Sequence, residues 1–213
     1  MAIDKITTPA VTDDSVTLAK MAPGTDGNII SYDASGNPVA VATGTAGHVL
    51  TSAGAGAPPT FAAAGGNTPM FEAVMSANQA LGNGSTTKIQ FNTERFDTNG
   101  NYDHSTNYRF TPTVAGNYQF DVSVQYAAGG SNLAYCYVFI YKNGSARKIS
   151  LNDFQANPGN THNATASYII DMDGSSDYVE AYGHMSSAGN VLYNDGGSSS
   201  SKSSVFKGYK LIG

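Results

Sequence analysis

The sequence predicts an all-β chain whose larger part is an antiparallel β-sandwich of jelly-roll type. Three observations carry that expectation. From position 70 onward, aromatic and β-branched residues alternate with polar ones, the period of a strand with one buried face. Turn dipeptides punctuate these segments: Asn99-Gly100, Asn143-Gly144 and Asp173-Gly174. The composition, with 24 Gly, 13 Tyr, 9 Phe and only 13% charged residues among 213, suits tight turns and pleated surfaces.

Eight strands are expected, over 68–76, 88–97, 108–112, 118–126, 133–141, 164–172, 177–185 and 204–212. In Tyr118-Gln119-Phe120-Asp121-Val122-Ser123-Val124-Gln125-Tyr126 the alternation is strict, so Tyr118 and Phe120 feed a core on one side. Gly116 is placed to let the chain reverse tightly before that strand. Gly208, between Phe206 and Tyr209, suggests a close backbone approach in the last strand. The segment 133–141 is apolar at every position, so both of its faces need cover. A two-sheet sandwich covers one of them. Tyr135, Tyr137, Phe139 and Tyr141 share the other and are expected at an interface between copies of the chain.

Composition changes near residue 67. Residues 1–66 are rich in Ala, Gly, Thr and Pro with two aromatics, Tyr32 and Phe61, and form a separate N-terminal segment from the 67–213 domain. Within it, Gly24-Thr25-Asp26-Gly27-Asn28-Ile29-Ile30-Ser31 aligns with Gly44-Thr45-Ala46-Gly47-His48-Val49-Leu50-Thr51 at an offset of twenty. Each copy reads as a hairpin. A lone hairpin is marginal in water, so two of them make an extended stem only if other copies of the chain cover them. A short helix is expected over 13–21.

Other chemistries find little support. The net charge of −5 comes without a run of Lys or Arg, which disfavours nucleic acid. No apolar run approaches a membrane span, and the start lacks the apolar core of a signal peptide. The acceptor-like triplets at Asn83, Asn143 and Asn163 therefore read as chance. Cys136 is single and flanked by tyrosines, as a small buried hydrophobe would be. His48, His104, His162 and His184 are far apart without metal-ligand spacing, and read as exposed structural residues in loops or at strand ends. No metal or cofactor is expected. Asp171, Asp173 and Asp177 read as a solvated turn; a calcium site is the alternative, lacking the glutamate an EF-hand needs. A glycan-cleaving enzyme would need paired carboxylates across a groove, and these aspartates are too turn-like for that, so the chain is expected not to be an enzyme.

Several motifs resemble the globular head of the complement subcomponent and its tumour-necrosis-factor-like relatives. They are Phe71-Glu72-Ala73, Phe96-Asp97, Gly100-Asn101-Tyr102-Asp103, Phe110-Thr111-Pro112, Gly116-Asn117-Tyr118-Gln119-Phe120, Asn143-Gly144 and Phe206-Lys207-Gly208-Tyr209-Lys210-Leu211. The resemblance spans roughly 68–213 and implies a homotrimeric head. Ser176-Asp177 stands where that family has Gly-Asp, and no collagen repeat precedes the head. The N-terminal phrases Ile6-Thr7-Thr8-Pro9-Ala10-Val11-Thr12 and Gly44-Thr45-Ala46-Gly47-His48-Val49-Leu50-Thr51-Ser52 look like linkers of bacteriophage tail fibres.

Together the two resemblances imply a virion protein assembled in the bacterial cytoplasm. It would be a tail fibre or receptor-binding tip, docking on other virion proteins through residues 1–66 and gripping a bacterial surface glycan or protein. A head fibre or capsid decoration protein is the alternative. Binding is expected in loops at the far end of the sandwich, 77–87, 112–116, 142–162 and 186–203. The candidate residues are Asn157, Asn160, His162, Asn190, Tyr193, Asn194 and Asp195, whose types suit polar and sugar contacts.

Overall fold

The computed structural model describes residues 23–128, 132–186, 191–193 and 203–212. The helix expected over 13–21 lies outside them. The chain divides into two units between Gly65 and Gly66.

In the first unit, β1 (Ile29–Tyr32) pairs with β2 (Pro38–Val41), and β3 (His48–Thr51) with β4 (Thr60–Ala63). The two halves of the twenty-residue repeat are therefore two hairpins, with Ile29-Ile30 and Val49-Leu50 at equivalent places. Asp33 fixes the first turn by accepting the amides of Ser35 and Asn37 at 2.8 and 2.9 Å. Ile30, Tyr32, Val49 and Leu50 remain exposed.

The second unit opens with six short strands: β5 (Met70–Val74), β6 (Gln79–Ala80), β7 (Thr87–Lys88), β8 (Thr93–Asp97), β9 (Tyr102–Asp103) and β10 (Arg109–Phe110). Seven more follow: β11 (Gly116–Ala127), β12 (Tyr135–Lys142), β13 (Ser145–Asp153), β14 (Thr161–Met172), β15 (Val179–Ser186), β16 (Val191–Tyr193) and β17 (Val205–Lys210). One sheet runs β8-β5-β17-β11-β14, with β16 and then β6 added on β11 beyond the end of β17. The other runs β13-β12-β15-β10-β9, with β7 on β15.

The pairings nest in sequence. β12 pairs with β13 inside β11 with β14, inside β10 with β15, inside β5 with β17. This is one long antiparallel hairpin, turned at Asn143-Gly144 and rolled so that successive pairs fall in opposite sheets. That arrangement is the jelly roll. Asn143 and Gly144 have φ of 51° and 75°, the left-handed pair that such a hairpin turn requires.

The core between the sheets is aromatic. Phe71 stacks on Phe110 and Tyr102 with centroids 4.5 and 4.8 Å apart, and meets Phe206 edge-on at 5.0 Å. Tyr118 and Phe120 are fully buried beside them, as their spacing predicts. Gly116 has φ of 140°, open to glycine and strained for other residues. A Cβ on Gly208 would lie 2.6 Å from the Phe120 ring, the close approach expected there.

Two expectations are corrected. The supposed loop 142–162 contains the nine-residue strand β13; only 154–160 connects strands at the end where β11 finishes. The connection 112–116 lies at the opposite end, beside the start of β11 and the 173–177 turn. The cause is the length of β10. At two residues it does not cross the sandwich, so the chain stays at the end where β5 begins from Asp97 through Gly116.

Candidate functional surfaces

The outward face of the β13-β12-β15 sheet is apolar across three strands. On β12, Cys136, Val138 and Ile140 turn into the core and are fully buried. Tyr135, Tyr137, Phe139 and Tyr141 therefore point away from it. Direct cross-strand partners share a face, so Ile149 and Tyr182 flank Phe139, while Leu151 and His184 flank Tyr137. The rings pack on one another: Tyr135 on Tyr137 at 5.1 Å, Tyr137 on His184 at 5.2 Å, Tyr141 on Tyr182 at 4.3 Å. Ring faces spent on neighbouring rings are not free to stack on a sugar, so this surface suits packing against protein. Ile149 is 52% and Leu151 56% exposed at its edge.

His184 corrects the expectation of an exposed strand-end histidine. It lies inside β15 and between two tyrosines, its Nδ1 3.0 Å from Thr86 Oγ1, and burial lowers its pKa. His162 is likewise packed: its ring stacks on Phe154 at 3.5 Å, and its Nε2 is buried against Gly159 without a hydrogen-bond partner. That makes it a poor contact residue for a ligand. His104, by contrast, is exposed and sits 2.7 Å from Glu94.

The other loop candidates divide. Asn157 and Asn160 are exposed around the 154–160 connection, whose backbone is tied to Ala128, just past β11, and to Leu133 by the carbonyls of Asn160 and Gly159. Tyr193 lies in β16, its backbone paired with Gln125. Asn190, Asn194 and Asp195 fall outside the described residues. The structure thus places Asn157, Asn160 and His162 together at one end of the sandwich.

The aspartate cluster is a turn built on its own amides. Asp173 Oδ1 accepts the amides of Ser175, Ser176 and Asp177, each at 2.9 Å, and Oδ2 accepts the Ser176 hydroxyl at 2.7 Å. Asp177 faces Lys142 at 2.6 Å and accepts from Asn143 at 2.7 Å. These oxygens already have partners. Among the described residues no three His, Cys, Asp or Glu side chains converge closely enough to hold a metal ion. Cys136 is buried, and burial pushes its thiol up to about 11, far from the thiolate a nucleophile needs.

No protein-family model matches the sequence, and no curated protein matches it. Among solved structures, the globular domain of zebrafish complement 1qA protein superposes with a TM-score of 0.48 and 13% identity, over 68% of this chain and 98% of that one. Murine APRIL superposes with a TM-score of 0.48 and 7% identity, over 67% and 98% of the two chains.

Proposed function

We propose that the chain is a bacteriophage virion protein, a homotrimeric tail fibre or receptor-binding tip that attaches the particle to a bacterial surface. The observation that carries this reading is uncovered apolar surface in both units. In the sandwich it is Ile149 and Leu151, at the edge of the face that Tyr137 shares; in the first unit it is two hairpins of four-residue strands with exposed Ile30, Tyr32, Val49 and Leu50. Contiguous exposed apolar surface on a small chain marks an interface. Hairpins this short do not persist alone, and an assembly covers both. The trimer and the virion setting rest on the head-like and linker-like motifs of the sequence.

Adhesion would then be multivalent. Identical tips on one fibre, and several fibres on a particle, turn weak single contacts into firm attachment. The protein acts by binding and performs no reaction, and residues 1–66 engage the other virion proteins.

Light scattering on the full chain is expected to give three times its 22.1 kDa mass, and Ile149→Asp with Leu151→Asp to reduce that mass while circular dichroism stays unchanged. Fluorescently labelled chain is expected to decorate the cells of some strain in a panel of bacteria and to block adsorption of the cognate phage. A stable wild-type monomer would overturn the assembly, and labelling of no strain the adhesion.

A further inference from the structure

We infer that a cleft on the outward face of the β8-β5-β17-β11-β14 sheet binds an uncharged oligosaccharide, an inference that deepens the adhesion reading by naming its ligand. The cleft encloses about 670 Å³, within the range of ordinary small-ligand sites. Most of its lining comes from the sheet opposite the aromatic face; Lys148 and Ser150 come from β13, where they alternate with Ile149 and Leu151 and so point away from that face.

Its chemistry follows from strand register. Glu72, Lys207, Asp121 and Ser167 are successive cross-strand partners on β5, β17, β11 and β14. Adjacent strands are about 4.8 Å apart, so hydrogen-bond acceptors and donors alternate along a row at that spacing. Each hydroxyl of a sugar both donates and accepts, and such a row meets both needs. Carboxylates at Glu72 and Asp121 accept; ammonium groups at Lys207 and, from β13, Lys148 donate.

These groups retain capacity for a ligand. Among the described residues neither Lys148 nor Lys207 has a carboxylate within ion-pair distance. Asp121 accepts from Gln119 Nε2 at 3.1 Å. The Ser167 hydroxyl accepts from the same amide at 2.7 Å and keeps its own hydrogen to donate. Glu72 is oriented by Arg95 at 2.7 Å.

The charge balance selects the ligand class. Arg95, Lys148 and Lys207 stand against Glu72 and Asp121, an excess of one positive charge with Arg95 already held on Glu72, so the cleft is near neutral and a polyanion also meets two carboxylates on its floor. Among the described residues the lining contains no aromatic side chain, so affinity depends on hydrogen bonds. Single-site binding is then weak, and the multivalency of an assembly makes it effective.

The test uses the full chain on an array of neutral tetrasaccharides of gluco, galacto and manno configuration, beside their uronic-acid counterparts. At least one neutral glycan is expected to bind. Asp121→Ala and Lys207→Ala are each expected to weaken that binding tenfold or more with an unchanged melting temperature, and Lys148→Ala, at an exposed position, serves as a second probe of the same cleft. Binding of no neutral glycan, tighter binding of the uronates, or full binding by all three variants would overturn the inference. Cell labelling separates this from the adhesion reading: variants that label cells as well as wild type sink the cleft alone. Glycan binding without any cell labelling sinks adhesion alone.

Discussion

The hydroxyl of Tyr126 on β11 donates to the backbone carbonyl of Tyr137 on β12 at 2.5 Å, joining the two sheets through the core. Both residues belong to segments whose hydrophobic pattern was evident, yet this bond depends on how the sheets are stacked. Burial raises the Tyr126 pKa well above its ordinary value, so the hydroxyl stays a donor at neutral pH.

Tyr126→Phe removes that donor while keeping the ring. The expected loss is about 0.5–1.5 kcal/mol, the net range for an intramolecular hydrogen bond between neutral groups. Urea unfolding of the two proteins measures it.

Gly208→Ala is expected to cost about 1–3 kcal/mol through overpacking. The added methyl would sit 2.6 Å from Phe120 Cδ1 and 3.0 Å from Phe71 Cε1, and both rings are held in the aromatic core. A second change, Phe120→Leu, is expected to recover part of the loss in the same unfolding measurement.

Acid should weaken the fold through its aspartate turns. Asp103 is held well below the usual carboxylate range, chiefly by the Thr106 amide, with those of Ser105 and Asn107 and the Asn107 side chain. Asp173 is held low in the same way, chiefly by the Asp177 amide. A carboxylate depressed in the folded state contributes stability above its unfolded pKa of about 3.9, and that contribution fades as pH falls further. The urea midpoint should hold steady from pH 7 to about 5 and drop below 4. Asp103→Ala should lower the midpoint at pH 7 and flatten the drop.

Lys88 pairs at 2.5 Å with Glu180, the most buried carboxylate in the ion pairs described, which also accepts from the Tyr182 hydroxyl at 3.2 Å. Lys88→Met strands the carboxylate. The lysine side chain is about one-third exposed, so water reaches the site, and the expected cost is at the low end of about 3–5 kcal/mol. Adding Glu180→Gln should restore most of it, which a double-mutant cycle resolves.

The long strands of the sandwich were legible because their faces differ: β11 and β12 announce their buried sides in alternation or in unbroken apolarity. β13 was missed because Ser145-Ala146-Arg147-Lys148 reads as loop. Its signal lay in Lys148-Ile149-Ser150-Leu151-Asn152, a period-two pattern whose apolar side faces outward. The short β10 misled in another way, since the distance it covers decides at which end the next loop lies. Tyr135, Tyr137, Phe139 and Tyr141 could be placed on one face from parity alone. The cleft could not: Glu72, Lys207, Asp121 and Ser167 are scattered along the chain and meet only through pairing register.

Among the described residues β13 pairs only with β12, and β14 only with β11. Each long strand thus offers a row of amides and carbonyls without a strand partner, in which Asp171 O accepts from Lys142 Nζ at 2.7 Å and Asn163 O from Asn152 Nδ2 at 3.3 Å. Natural sheets guard such rows with charge, and Arg147, Lys148 and Asp171 stand there. These side chains serve solubility more than stability. A variant that neutralised them would keep its melting temperature and still be lost from solution, strand adding to strand, before any cell or virion met it.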